Sequence, residues 1–212
     1  MLLSHKYRFI FIKTRKTAGT SIEVELAPHL GPDDVITRIQ PPVAGHNPRN
    51  FRSANPLRRW LKRTYHNHAP ATLVRELAGR QVWDGYYKFC VEREPVAKCL
   101  SMWRMISQDA GFAHFQPDLS WEQYVERGDF PMDGAIYVAR NGLLMVDRIL
   151  HFETLEQDLR EVTAMLGLPF DGLAARAKSG LGKGPKQEVT AQQRQRIYAA
   201  FAPTLPFTGY AA

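Results

Sequence analysis

A lysine, three hydroxyl side chains and a glycine stand within six consecutive residues that follow an apolar run, and together they could bind an anion. Where a strand passes through a short loop into a helix, the first N–H groups of the helix lack partners and carry partial positive charge. Gly19 would let the backbone approach an anion closely, and Lys16 would add a positive charge. The hydroxyl donors would be those of Thr17, Thr20 and Ser21. The segment is not a Walker A motif, because GxxxxGK[ST] is absent and the lysine precedes the glycine.

A second group of anion-binding residue types follows the next apolar run. Arg93 stands at the end of this predicted strand, and Ser101 lies eight positions later on a helix that Pro95 begins. A guanidinium offers forked donors to a phosphate, and a hydroxyl two turns into the helix can come back toward the strand end. An arginine in a surface ion pair is the alternative interpretation. The position of this junction downstream of the Lys16 loop favours a second phosphate site.

The first loop resembles the 5'-phosphosulfate loop of sulfotransferases that use 3'-phosphoadenosine 5'-phosphosulfate (PAPS). The carbohydrate-type branch of that family carries the string Lys-Thr-Ala-Gly-Thr-Ser, which this chain matches without a gap. The cofactor-binding residues implied by the resemblance are Lys16, Thr17, Ala18, Gly19, Thr20 and Ser21. Arg15 stands where the family usually has proline, so we expect the entrance of the loop to be more basic and less rigid.

The resemblance extends to two further segments. Arg93 and Ser101 match the arginine and serine of the family's 3'-phosphate site. Near the C-terminus, related enzymes close over the adenosine bisphosphate with a basic, glycine-containing loop. Residues 179–186, with Lys183 among them, agree with that loop in position and composition, and a mobile linker is the alternative interpretation.

The activity implied by the resemblance is transfer of a sulfuryl group from PAPS to an acceptor hydroxyl, which leaves adenosine 3',5'-bisphosphate. Lys16 would donate to the bridging oxygen as the sulfur–oxygen bond breaks, and no metal is needed. Related enzymes take the acceptor proton on a histidine or glutamate. His68 is our first candidate for this base. The other candidates are His66, His46, Glu23, Glu25 and Glu92.

Two other function classes fit parts of the sequence. A P-loop kinase-like phosphotransferase shares the strand–loop–helix phosphate site, and a non-catalytic polyanion-binding module would keep only the anion sites. For a sulfotransferase, the carbohydrate-type resemblance and a basic cluster favour a saccharide acceptor, in particular an anionic one. A lipid, a peptide tyrosine or a secondary metabolite remain open. The basic cluster comprises Arg49, Arg52, Arg58, Arg59, Lys62 and Arg63, and a solvated loop is its alternative interpretation.

Strands that alternate with helices must position these motifs. The alternation predicts an α/β fold, namely a P-loop-like three-layer domain with a mainly parallel central sheet. We expect a single domain over residues 1–212, in which residues 31–65 form a long excursion or lid. The predicted strands are 7–12, 86–91 and 146–152, and the predicted helices are 22–26, 71–78, 95–107, 121–126, 154–166 and 191–201.

Composition and charge narrow the class of protein. With 44% hydrophobic residues, a chain of 212 residues can bury a sizeable core. The 28 Lys and Arg against 21 Asp and Glu give a net charge of +7, which favours an anionic partner, but no RNA-binding or zinc-ligand pattern points to nucleic acid. The apolar runs are too short to cross a bilayer and the N-terminus does not resemble a signal peptide. Cys90 and Cys99 are predicted to be buried and reduced. We therefore expect a cytoplasmic protein of bacterial type without a transmembrane segment.

Overall fold

The computed structural model describes residues 1–52, 63–173 and 187–211, and the chain divides into two compact units. The first unit comprises Met1–Glu92 and Asp133–Arg176, and the second comprises Arg93–Met132 and Ala177–Ala212. The single domain expected from the sequence stays a prediction. The strands are β1 (Leu2–Ser4), β2 (Phe9–Phe11), β3 (Val35–Ile36), β4 (Tyr87–Glu92) and β5 (Arg148–His151). The α-helices are α1 (Gly19–Leu26), α2 (Ala71–Ala78), α3 (Arg80–Gly85), α4 (Pro95–Gln108), α5 (Trp121–Arg127), α6 (Gly134–Tyr137), α7 (Leu155–Leu166), α8 (Ala191–Phe201) and α9 (Leu205–Thr208).

The five strands form one mixed sheet in the first unit, in the order β3-β1-β2-β4-β5. Strand β1 is antiparallel to both β2 and β3, whereas β2 and β4, and β4 and β5, are parallel. The predicted P-loop-like, mainly parallel sheet is therefore wrong. The physical reason is the short connection between β1 and β2, since residues 5–8 are too few to cross over and can only form a hairpin.

Apolar side chains cover both faces of this sheet. Along β2, Phe9 and Phe11 contribute to one apolar cluster with residues of α1 and α7, and Ile10 contributes to a second cluster with residues of α2 and α3. This division follows from the alternation of side chains along a strand. Because helices lie on both faces, β2 is continuously apolar rather than alternating with polar residues.

The excursion predicted at residues 31–65 is tied to the sheet at its start. Residues 35 and 36 form β3 and pair with Leu3 and Leu2 of β1. Ile36 exchanges backbone hydrogen bonds with Arg49 at 3.0 Å in each direction. This part of the segment is a sheet edge and its continuation, while residues 53–62 lie outside the described part of the chain.

The second unit is a helical cluster with its own apolar core. Side chains of α4, α5 and α8 build the core, among them Cys99, Trp121 and Phe201. Ser120 and Thr190 begin α5 and α8 with capping boxes, in which the N-cap hydroxyl and a glutamine three residues later satisfy each other's backbone N–H groups. Cys90, in the first unit, and Cys99 are both buried, as the sequence predicts, and neither forms a disulfide among the described residues.

Candidate functional site

The loop between β2 and α1 has an alternating backbone. Lys16 and Ala18 have positive φ angles of 62° and 59°, whereas Arg15, Thr17 and Gly19 have negative ones. Such an alternation turns successive N–H groups toward a common centre and forms a concavity that binds anions. The left-handed conformation costs a residue with a side chain about 1–2 kcal/mol. Two such residues within three positions therefore place an unusual amount of conformational strain where the sequence predicts an anion site.

Helix α1 begins in this loop without a side-chain cap. Its N-cap residue is Ala18, which has no oxygen to offer to the first N–H groups, and its carbonyl accepts the first helical bond from the Ile22 N–H at 3.1 Å. Ser, Thr, Asp or Asn would be the usual choice at this position. The start of α1 therefore keeps the property that attracts an anionic ligand.

The threonine hydroxyls of the loop are partly used within the protein. Thr14 donates its hydroxyl hydrogen to the Val91 carbonyl, so it accepts one from Thr17 at an oxygen–oxygen distance of 2.9 Å. Thr17 thus offers a ligand its backbone N–H rather than its hydroxyl hydrogen. Thr20 Oγ1 accepts from Lys13 Nζ at 3.2 Å, which leaves its own hydrogen to donate elsewhere.

A buried ion pair lies beneath the loop, and the sequence reasoning missed it. Lys13 Nζ lies 2.5 Å from Glu23 Oε2, and the two side chains are 4% and 0% exposed. Burial raises the pKa of Glu23, but neighbouring positive charges, that of Lys13 among them, outweigh this effect and hold the pKa below its usual value. Glu23 is ionised in this pair, but its carboxylate is fully buried and accepts from Lys13, which makes it a weaker candidate for the base than His68. The available signal was weak: Lys13 directly follows the apolar run 9–12, and Glu23 lies next to Ile22 on the first predicted helix.

Gly19 is explained by the stem of Lys13. A Cβ atom at position 19 would lie 2.7 Å from Lys13 Cγ and 2.9 Å from Lys13 Cε. The sequence reasoning attributed this glycine to the close approach of an anion. The structure adds an internal reason, because the lysine must pass over the first turn of α1 to reach Glu23.

His68 is held against the start of the same loop. Its Nδ1 lies 3.0 Å from the Lys13 carbonyl oxygen, which can only accept, so Nδ1 carries the hydrogen. In the neutral ring the lone pair is then on Nε2. Burial lowers the pKa of His68, although the hydrogen bond to the Lys13 carbonyl works in the opposite direction. The arrangement gives a neutral imidazole near pH 7 with Nε2 as its basic atom.

The other candidate bases lie in different surroundings. His46 is buried, and burial is the main cause that lowers its pKa. His66 is exposed over much of its surface, and partial desolvation is the main cause that lowers its pKa. Glu92 is buried at the end of β4, and Glu25 is half-buried on α1. Of the three histidines, His68 is the one with a hydrogen bond to the residue that begins the loop.

Arg15 is held in place, whereas its position in place of proline led us to expect a less rigid entrance to the loop. Its backbone N–H donates to Asp133 Oδ2 at 2.6 Å, and its Nε donates to Asp133 Oδ1 at 2.7 Å. Asp133 is 1% exposed, so the contact neutralises Arg15 against a buried carboxylate. A residue 118 positions away thereby replaces the rigidity that proline would give.

The second motif belongs to the second unit. Arg93 is half-buried and directly follows β4, and Ser101 is half-buried on α4. Between them, Glu94 caps α4 by accepting from the Ala97 N–H at 2.6 Å, and it also accepts from the Tyr198 hydroxyl at 2.9 Å. Pro95 occupies the first helical position, as the sequence predicts. The helix start is thus fixed by its own cap and by α8.

Some of the residues predicted to bind an anion lie outside the described residues, and others have partners within the fold. Lys183, the predicted residue of the closing loop, lies outside the described residues. In the basic cluster, Arg49 donates to the carbonyls of Gly31 and Leu30 at 3.0 Å each, and Arg63 pairs with Glu76. These two arginines support the fold. The cluster members Arg58, Arg59 and Lys62 also lie outside the described part of the chain.

Within residues 1–52, 63–173 and 187–211, no three His, Cys, Asp or Glu side chains group so that they could hold a metal ion. Over the same ranges, no helix has the length and apolar character needed to cross a membrane.

Comparison with known proteins gives one relative and no activity. No protein-family model matches the chain, and no solved structure matches it. A protein of Archaeoglobus fulgidus described as "Uncharacterized protein" is 33% identical over 109 residues, which cover 47% of this chain and 83% of that protein. The chain therefore belongs to the same family as this archaeal protein.

Proposed function

We propose that the protein is a PAPS-dependent sulfotransferase that acts on an acceptor hydroxyl. The observation that carries the proposal is the loop at residues 15–19, where alternating φ signs and an uncapped helix start form a concavity for an anion. This conformation occurs in the segment whose sequence matches the 5'-phosphosulfate loop residue by residue. A backbone that is costly to hold and useful for binding an anion supports that function over a plain strand–helix turn.

The residues present fit the phosphosulfate end of PAPS. N–H groups of residues 17–21 would hold the 5'-phosphate, and Thr20 has a hydroxyl hydrogen to donate. Lys16 would donate to the bridging oxygen, where negative charge develops during transfer. When bound, PAPS supplies the sulfuryl group. In the balanced reaction, the acceptor oxygen forms a bond to sulfur, the bridging sulfur–oxygen bond breaks, and adenosine 3',5'-bisphosphate leaves.

His68 would take the proton of the acceptor hydroxyl on Nε2. Its Nδ1–H is committed to the Lys13 carbonyl, which fixes the ring orientation and the tautomer. A base must be unprotonated before it can act, and the lowered pKa of His68 satisfies this condition near neutral pH. His66 and His46 lack this tie to the loop.

Arg93 and Ser101 would hold the 3'-phosphate, an assignment that comes from the resemblance. Both residues belong to the second unit, and Arg93 directly follows β4. The cytoplasmic location expected from the sequence also remains part of this proposal.

Calorimetric titration with adenosine 3',5'-bisphosphate, with ATP and magnesium as comparator, tests the proposal. We expect micromolar binding of the bisphosphate and much weaker binding of ATP. Preference for ATP would favour a kinase-like activity, and binding of neither nucleotide would reject the proposal.

A matched pair of variants at Ala18 tests the loop conformation itself. Glycine adopts a φ of about 60° without strain, whereas the β-branched side chain of valine resists it. Ala18→Gly should bind the bisphosphate within about twofold of the wild type, and Ala18→Val should bind roughly tenfold or more weakly. Equal binding by both variants would show that the backbone concavity is not the phosphate site.

A further inference from the structure

Two adjoining grooves in the first unit share Arg38 and Gln40. We call the first, of about 440 Å³, the proline groove, because three prolines contribute to its walls. We call the second, of about 340 Å³, the polar groove. The other lining residues of the proline groove are Ile39, Pro41, Pro42, His46 and Pro48. Those of the polar groove are Phe51, Thr64, Tyr65, His66 and Asn67.

The walls of these grooves are held in place by hydrogen bonds to the sheet edge. Arg49 pairs with Ile36 of β3 through its backbone, and its guanidinium donates to the carbonyls of Leu30 and Gly31. The Tyr65 N–H donates to the Phe51 carbonyl at 3.0 Å, which joins the two sides of the polar groove. The walls of both grooves are therefore fixed by contacts within the protein.

Arg38 supplies a positive charge where the grooves meet. It is exposed, and its guanidinium carbon lies 4.8 Å from the centre of the Phe51 ring. No ion pair joins Arg38 to a carboxylate anywhere in residues 1–52, 63–173 and 187–211, in contrast to Arg63. A guanidinium that rests on an aromatic ring is oriented without being neutralised, so it can still bind an anion.

Each groove is also lined by a residue that has a buried polar atom without a partner among the described residues. His46 is 7% exposed, and its Nε2 makes no hydrogen bond there. Asn67 Oδ1, which belongs to a residue of the polar groove, is likewise unsatisfied. A buried unsatisfied polar atom costs about 1–3 kcal/mol. A ligand with hydroxyl groups would remove this cost.

From these observations we infer that the two grooves bind the acceptor, and that the acceptor is an acidic sugar linked to an apolar group. The inference rests on the proposed function. Arg38 would bind the carboxylate of the sugar, and the walls of Ile39 and the prolines would receive the apolar group. The sugar hydroxyls would lie in the polar groove, which is lined by Asn67, the neighbour in sequence of the candidate base His68. One molecule lying across both grooves thereby satisfies a charge, an apolar surface and the polar atoms.

The test uses 4-nitrophenyl β-D-glucuronide and the uncharged 4-nitrophenyl β-D-glucoside as probes, with binding measured by NMR titration. Free glucuronic acid, which lacks the apolar group, is the third probe. The wild type should bind the aryl glucuronide roughly tenfold or more tightly than either of the other two. Arg38→Gln should abolish the preference for the glucuronide over the glucoside. Arg52→Gln is the matched control and should keep it, because Arg52 is also exposed and lies 5.8 Å from the same ring but does not line either groove.

Absence of glucuronide binding, or an unchanged preference in Arg38→Gln, would overturn the inference. A titration of the same samples with adenosine 3',5'-bisphosphate separates this failure from that of the proposed function. Binding of the bisphosphate without dependence of the glucuronide on Arg38 would reject the groove and keep the sulfotransferase. Arg38-dependent binding of the glucuronide without bisphosphate binding would keep the groove as a ligand site and reject the transfer reaction.

Discussion

Replacement of Gly19 by alanine should destabilise the protein through Lys13. The new Cβ atom would lie 2.7 Å from Lys13 Cγ, whereas carbon atoms in contact are about 3.5–4.0 Å apart. The stem of Lys13 would have to move back by roughly 0.8 Å or more. It has little freedom to do so, because its Nζ is held by Glu23 and Thr20 in a buried site.

The expected loss of stability is the cost of displacing the Lys13 stem minus the gain from replacing glycine by alanine in a helix. Overpacking of a buried site costs about 1–3 kcal/mol, and breaking a buried ion pair outright costs about 3–5 kcal/mol. Alanine in place of glycine in a helix returns at most about 1 kcal/mol. We therefore expect Gly19→Ala to lower the free energy of unfolding by about 1–2 kcal/mol if the pair survives the shift. Urea denaturation followed by circular dichroism measures this change. Gly31→Ala is a suitable control, because its nearest non-neighbouring atoms are 3.7 Å from the new Cβ.

A double-mutant cycle with Lys13→Ala identifies the cause. In a chain without the lysine stem, Gly19→Ala has nothing to displace and should cost nothing or stabilise the protein slightly. If Gly19→Ala costs the same in both backgrounds, or costs nothing in the wild type, the contact with Lys13 does not explain this glycine.

We expect five further results. Lys16→Ala should lower kcat by roughly 10²–10³-fold while calorimetry shows little change in bisphosphate affinity, and near-normal turnover would exclude Lys16 as the donor to the leaving oxygen. Arg93→Ala should weaken binding of adenosine 3',5'-bisphosphate but hardly affect adenosine 5'-phosphosulfate, and equal weakening of both ligands would remove the 3'-phosphate assignment. His68→Asn keeps a side-chain N–H for the Lys13 carbonyl but has no basic nitrogen. Its kcat/KM with 4-nitrophenyl β-D-glucuronide should therefore fall by roughly 10²–10⁴-fold. The wild-type pH–rate profile should bend below the ordinary histidine pKa of 6.5, because burial lowers the pKa of His68; a bend above that value would contradict the assignment. The pKa values of His46, His66 and His68 are all lowered in the folded chain. Between pH 6.5 and these lowered values, the unfolded chain therefore binds more protons than the folded chain. The free energy of unfolding should therefore be highest above pH 6.5. Urea titrations should give a smaller value at pH 5.5 than at pH 7.5, and equal values would contradict the lowered histidine pKa values.

The helices were predicted well where local signals mark both ends. Residues 71–78 and 191–201 form α2 and α8 as predicted, and the second begins with a capping box that is visible in the sequence. Pro95 marks the start of α4 because its missing N–H is not needed there. These signals lie within a few residues of each other, so they act whatever the rest of the chain does.

The sheet was predicted less well because its topology depends on its shortest strands. The run 7–12 was predicted as one strand, but only Phe9–Phe11 pairs, and a turn with Arg8 at a φ of 55° precedes it. Strand β1 has three residues and β3 has two, too few to show a periodic pattern. These two strands supply the antiparallel pairs that make the sheet mixed.

At the candidate site, the residue types of the loop were predicted and their supports were not. The string at 16–21 identifies an anion-binding loop, and its backbone has the conformation that such a loop needs. The partners of the loop come from distant segments: Asp133 holds Arg15, and His68 donates to Lys13. A local pattern carries no information about contacts across 55 or 118 positions.

The contact between Arg15 and Asp133 can form only after a long part of the chain has been synthesised. The loop is synthesised before the carboxylate that fixes its entrance, which lies 118 residues later in the chain. Bringing together groups so far apart in the chain requires closing a long loop, which is a late and slow event in folding. The anion loop thus takes its final shape only after most of the first unit has assembled. A truncated or stalled chain would carry the whole motif and still lack the site.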